Sequence, residues 1–147
     1  MRDFLLFLHI VGAAGWIGGG LFGTLAYPTV ARSDPPTGAR ILRALEKWGS
    51  AYFGVTSGLV LLSGIGLVLT SDAFGWGDTF VLIGLGAFLI SGIVQSTVGK
   101  RANERLFAAA ETGTDLPAAV SSWRQISMID LVVLFVVVWA MVTRLGA

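Results

Sequence analysis

Two side chains within the apolar stretches of this sequence could move a proton or hold a ligand, His9 and Asp130. An ionisable group inside a membrane span is a functional candidate by default. His9 is the single histidine of the 147 residues and cysteine is absent, so one chain offers neither a two-histidine metal site nor thiolate chemistry. Gly18-Gly19-Gly20 lies inside an apolar run, not at the strand-to-helix turn a phosphate loop requires, and no Walker, zinc-protease or nucleophile-elbow spacing occurs. Catalysis within one chain therefore has little to work with, and binding or assembly becomes the leading class.

The elements that must position these two residues follow from composition. Hydrophobic residues make up 54% and charged residues 13%, with a mean hydropathy of +0.79, which takes the chain out of the soluble range. A bilayer span needs about 20 mainly apolar residues. Four such stretches occur, at about Phe4–Tyr27, Ala51–Thr70, Phe80–Val98 and Ile126–Thr143. The first is too long for a signal-peptide core and is expected to be a true span. Period-2 alternation is absent, which excludes a barrel. The expected fold is an all-α, four-helix transmembrane bundle forming a single domain.

Basic residues orient it. Arg32, Arg40, Arg43 and Lys47 lie between spans one and two, and Lys100, Arg101, Arg105 and Arg124 lie between spans three and four. Against these eight stand Arg2 and Arg144 near the termini, while the short Ser71–Thr79 loop carries Asp72 and Asp78. The positive-inside rule then puts both long loops in the cytoplasm and both termini outside, in a multi-pass plasma (inner) membrane protein. Trp48 and Trp123 fall at the inner boundary and Trp76 at the outer one, as interfacial aromatics do.

Both long loops carry helical signals. Asp34-Pro35-Pro36-Thr37 is a break and a helix start, after which Ile41, Leu42, Leu45 and Trp48 recur at helical spacing. Arg40, Arg43 and Lys47 fall mostly on other faces, so the segment reads as a basic amphipathic helix on the inner leaflet or as an extension of span two. In the second loop a helical extension over Arg101–Ala110 meets a stop at Thr112-Gly113-Thr114, and Asp115 before Pro117 starts a new helix. A protruding helical hairpin is expected, as an ordinary topogenic loop or a docking surface.

The 20 glycines say how the spans associate. Gly15, Gly19 and Gly23 form one smooth stripe, and Ser50, Gly54 and Gly58 form another; small residues four apart let backbones approach in lipid. The fourth span, bulky from Val132 to Val138, has none. Helices one to three are therefore expected to make the tight contacts, leaving helix four to lipid or to a partner.

His9 lies about 7–8 Å below the outer end of span one, at about 1.5 Å per residue. It reads as an imidazole bonded across helices, to Ser63 or Thr143, or as the ligand of a flat cofactor beside the glycines. Asp130 lies about one turn inside the inner boundary, level with Gln95, Tyr27 and Tyr52. A bond to Gln95, a tyrosine or Arg124 is expected there, with a proton or cation site, or an ion pair with a partner subunit, as the alternatives. The two residues sit in opposite leaflets, on the order of 15–20 Å apart, and do not form a catalytic pair.

The string Leu8-His9 with Trp16-Ile17-Gly18-Gly19, within residues 5 to about 27, resembles the opening of a superfamily of small membrane bundles. That superfamily includes copper-resistance D-type domains, J-type protoporphyrinogen oxidases and a large family of predicted integral membrane proteins, which this chain resembles most in length, span count and first helix. In the haem-associated relatives the histidine at this place ligates haem, so the resemblance makes His9 a candidate haem b ligand. Spans two to four offer no second histidine, and a bis-histidine site would need His9 of a homodimer mate.

The leading expectation is a non-enzymatic accessory or regulatory subunit of a larger membrane assembly, such as a transporter or respiratory complex. It would dock through its fourth helix or cytoplasmic loops, with membrane lipid around it and no resident cofactor. A haem-binding redox protein using His9 and a small proton- or ion-coupled transporter using Asp130 are the alternatives. The net charge of +1 gives no reason to expect nucleic acid.

Overall fold

The computed structural model describes residues 1–143; Arg144, counted above with the outer terminus, lies outside the described residues. Helices α1 (Arg2–Ala31), α2 (Thr37–Leu69), α3 (Thr79–Val94), α4 (Lys100–Thr112) and α5 (Leu116–Thr143) follow in order, with a π-helical turn at Gln95–Gly99 joining α3 to α4. The described residues contain no strand, and four helical stretches are long and apolar enough to cross a membrane.

The helices overrun the apolar stretches because their flanks also favour helix. The cytoplasmic extension expected of span two is realised as one 33-residue helix, which starts after the Pro35-Pro36 pair. α3, the π turn and α4 form one continuous rod from Thr79 to Thr112. It ends at Gly113, whose φ of 72° lets its N–H close on the Ala109 carbonyl at 2.8 Å. The π turn coincides with Ser96, Thr97 and Gly99; the Ser96 and Thr97 hydroxyls bond back to the Ile93 carbonyl at 3.0 and 2.7 Å. Such back-bonding competes with the regular backbone ladder. A Cβ on Gly99 would run into the Gln95 side chain.

At membrane depth the helices form an open arc in the order α2, α1, α5, α3. α1 packs on α2 and α5, and α3 packs on α5, but no Cα of α2 comes within 8 Å of one on α3. At the basic end α4 closes the arc, touching α1, α2 and α5. The expected grouping of helices one to three is therefore corrected. α5 is a central helix, because its bulk fills the notches left by glycines on its neighbours. Leu131 lies 2.9 Å from where a Cβ on Gly20 would stand, and the Met141 methyl occupies the place of a Cβ on Gly84. The opposite strip of α5, with Ile129, Val132, Val136 and Trp139, is exposed.

The two glycine stripes behave differently. A Cβ on Gly15 would stand 2.9 Å from Thr56 Cγ2, and one on Gly19 2.6 Å from Tyr52 Cε1, so both glycines are notches for α2. Gly23 only grazes Trp123, at 4.0 Å. Gly54 and Gly58 have nothing within 4 Å, so the stripe expected to pack within the bundle does not, and Gly54 with Ser50 lines the gap of the arc.

The densest core sits at the basic end. Leu42 and Leu106 are fully buried there among Ala31, Ala39, Ala102, Phe107, Ala110, Val120 and Trp123. Burying each leucine removes it from water at a gain of about 1.5–3 kcal/mol. Between the spans that drive is absent, since lipid is as apolar as leucine. Small-residue notches and a few hydrogen bonds hold the helices together instead.

Candidate functional site

Several polar side chains gather on one face of this bundle, while Thr24, Thr56, Ser63 and His9 lie off it. The gap between α2 and α3 is a cleft of about 1380 Å³, bounded by α1 and α5 at the back and by α4 at the basic end. Ser50, Ser57, Ser91, Gln95, Ser96, Ser127 and Asp130 all line it, with Glu46, Lys47, Lys100 and Asn103 toward the basic rim. Asp130, Gln95, Tyr27 and Tyr52, expected at one depth, all border this cleft.

Asp130 finds a partner other than the three expected. The Ser91 hydroxyl on α3 donates to its Oδ1, whereas Gln95, whose side chain lies over Gly99, and the exposed Arg124 make no bond to it. The reason is register. Ser91 sits one helical turn before Gln95 on the same face of α3, where α3 rests directly on α5. The signal for Ser91 in the sequence is a serine four residues ahead of a glutamine in an otherwise apolar run.

Aromatic rings build much of the wall. Trp16 meets Phe88 edge-on, with ring centroids 5.5 Å apart, and so bridges α1 to α3, whose backbones do not touch. Tyr52 donates its hydroxyl to the Gly15 carbonyl at 2.7 Å, a bond made available by the glycine notch. Tyr27 stacks on Trp123 with centroids 4.9 Å apart, and Trp123 Nε1 donates to Asn103 Oδ1 at 2.6 Å. Asn103 Nδ2 in turn reaches Glu46 Oε1 at 3.4 Å, tying α4 to α2 across the mouth. Arg43, one of the basic residues expected on the inner leaflet with Arg40 and Lys47, is held by Glu111 at 2.9 Å.

His9 lies elsewhere. Its Nδ1 is 2.9 Å from the Val60 carbonyl and 3.3 Å from Ser63 Oγ. A carbonyl can only accept, so Nδ1 carries the hydrogen and Nε2 is left as the lone-pair nitrogen of the neutral ring. Ser63 already donates to the Leu59 carbonyl, so its oxygen is free to accept from the imidazole. Of the two partners expected from sequence, Ser63 is engaged, and Thr143 instead bonds back to the Trp139 carbonyl at 2.8 Å. Gly64 opposite makes room for the ring, since a Cβ there would stand 3.1 Å from His9 Cε1.

The space beside His9 is a separate, apolar cavity of about 60 Å³, walled by Ala13, Ile17, Gly84, Val137 and Met141 among others. A pocket for a drug-sized ligand runs to about 300–1,000 Å³, so a haem macrocycle does not fit against His9 while α3 lies where it does. The large cleft, which has the room, does not include His9. Trp16, Phe88 and Ser91 border both spaces and form the septum between them. No group of three His, Cys, Asp or Glu side chains able to hold a metal ion occurs among the described residues.

Comparison with curated proteins and with solved structures returns no match. Residues 3–145 do match one family model over nearly the whole chain, from the first span through the last. The four apolar helices and the arc they form thus belong to a member of the family described as predicted integral membrane protein (DUF2269).

Proposed function

We propose that this chain is a non-enzymatic accessory subunit of a larger plasma-membrane assembly, such as a transporter or respiratory complex, and that it contributes a ligand-binding cleft to that assembly. The basic end, with α4 and the start of α2, faces the cytoplasm in this reading, and both termini face outward.

The observation that carries the reading is the concentration of intramembrane polar side chains on the one cleft between α2 and α3. In lipid such groups are costly and mark sites of binding or passage. A bundle with these residues scattered would read as scaffold alone. Two facts favour binding over catalysis. His9 and Asp130 border different spaces, and His9 spends its Nδ1 on tying α1 to α2. The exposed apolar strip of α5, from Ile129 to Trp139, is the face offered to a partner helix, on the far side of that helix from its packed residues. The haem reading loses ground because the space beside His9 is too small. Transport by this chain using Asp130 shares the cleft with the leading reading, and differs from it in needing no partner.

Affinity purification from native membranes in mild detergent tests the accessory role. A partner recovered in fixed stoichiometry, and lost when Val136→Arg is placed on the outer strip of α5, is the expected result. Recovery of the chain alone, or as a homodimer, from membranes that retain their other complexes would overturn it.

A further inference from the structure

We infer that the α2–α3 cleft takes an amphiphilic cation, an ammonium, phosphonium or guanidinium group on an apolar body, with Asp130 as its counter-ion. This rests on the reading of the cleft as a ligand site and adds the class of ligand.

Charge is the first argument. Among the described residues the one ion pair is Arg43–Glu111, at the basic end. Asp130 has no basic group within ion-pair distance, and its partner in the chain is a serine hydroxyl. Lys100 borders the same cleft, but it lies nine residues beyond Ser91 along the α3–α4 rod, about 13 Å farther at about 1.5 Å per residue. Arg43 and Lys47 line the same rim, Arg43 paired with Glu111 and Lys47 next to Glu46 in the chain. The deep part of the cleft therefore holds a carboxylate for which the fold supplies no cation.

Ring placement is the second argument. Trp16 and Phe88 stand beside Ser91 at the inner wall, while Tyr52 and Phe53 line the α2 side. Aromatic faces attract organic cations through their quadrupole and accept the apolar body at the same time. An anionic amphiphile would reach the rim lysines, but it would lay its apolar body over Asp130 and leave that carboxylate without compensation.

Access is the third. Gly54 and Gly92 stand on the two lips of the cleft with nothing within 4 Å of either, and no Cα of α2 comes within 8 Å of one on α3. A ligand dissolved in the bilayer can enter sideways. At about 1380 Å³ the space exceeds the 300–1,000 Å³ or so of an ordinary ligand pocket, which suits a bulky amphiphile.

Equilibrium dialysis of the purified, monodisperse protein in detergent would use three probes of similar shape: tetraphenylphosphonium, tetraphenylborate and neutral triphenylphosphine oxide. Binding is corrected for partition into protein-free micelles and checked by quenching of tryptophan fluorescence. Saturable binding of the phosphonium, at least tenfold tighter than either other probe and weakened at least tenfold by Asp130→Asn, is the expected result. Equal binding of cation and anion, or tighter binding of the borate, would overturn the inference while leaving a ligand cleft in place. So would a phosphonium affinity that Asp130→Asn leaves unchanged. The cation–anion comparison on the unmodified protein decides the matter even where Asp130→Asn fails to fold. Absence of saturable binding by all three probes would sink the ligand cleft itself, and the inference with it.

Discussion

Ser91 of α3 donates its hydroxyl to the carboxylate of Asp130 on α5, and this is the polar bond joining two helices that otherwise meet through apolar packing. At membrane depth α5 is the one helix whose backbone comes close to that of α3 among the described residues, with the Trp16–Phe88 ring contact to α1 beside it. The bond therefore fixes the position of one side of the cleft as well as the orientation of the carboxylate.

Ser91→Ala removes the donor and leaves Asp130 without a partner among the described residues. Interhelical hydrogen bonds in membranes contribute about 0.6–2 kcal/mol. The variant should melt at lower temperature in detergent by a corresponding few degrees, and Ser91→Thr, which keeps the hydroxyl, should recover part of the loss. An unchanged melting curve for Ser91→Ala would show that apolar packing alone places α3.

The glycine notches predict a contrast between two similar-looking substitutions. Gly19→Ala puts a Cβ 2.6 Å from Tyr52 Cε1 and 3.1 Å from Phe53 Cζ, and should destabilise by about 1–3 kcal/mol through overpacking. Gly54→Ala meets nothing within 4 Å and should be neutral or slightly stabilising, since alanine favours helix. Thermal unfolding of the two variants side by side would separate them, and equal losses would contradict the assignment of Gly54 to the cleft.

His9 ties α1 to α2 through its Nδ1. Protein purified from haem-replete cells should show no Soret band, and His9→Ala should lower stability by about 0.6–2 kcal/mol through loss of the bond to Val60. A Soret band present in the unmodified protein and abolished in His9→Ala would instead mean that α3 moves away from α1 to open a haem slot.

Sidedness follows from the basic residues and can be read with single cysteines, because the chain has none of its own. Thr114→Cys, at the turn between α4 and α5, should resist a membrane-impermeant maleimide in intact cells and react once the membrane is opened. Asp72→Cys, in the short loop before α3, should react in both. The reverse pattern would invert the orientation and put the mouth of the cleft on the outer side.

The span count, the helical extension of α2 and the stop at Gly113 were legible in the residues, because each depends on local chemistry. An apolar run must be helical in lipid, a Pro-Pro pair cannot continue a helix, and a glycine takes up a φ of 72° without strain. Ser63 as a partner for His9 was also within reach, since few polar groups share its depth. Which helices touch was decided by shape. Leu131 seats against Gly20 and Met141 against Gly84, so α5 became the centre of the arc and α2 and α3 were left apart. No periodicity in one chain segment encodes that complementarity. For the same reason the sequence by itself determined that Asp130 lies in a span, but only the tertiary structure decided that Ser91 would hold it and that an open cleft would face it. The bilayer fixes each helix by its own composition, whereas neighbours are selected by the fit of one surface to another.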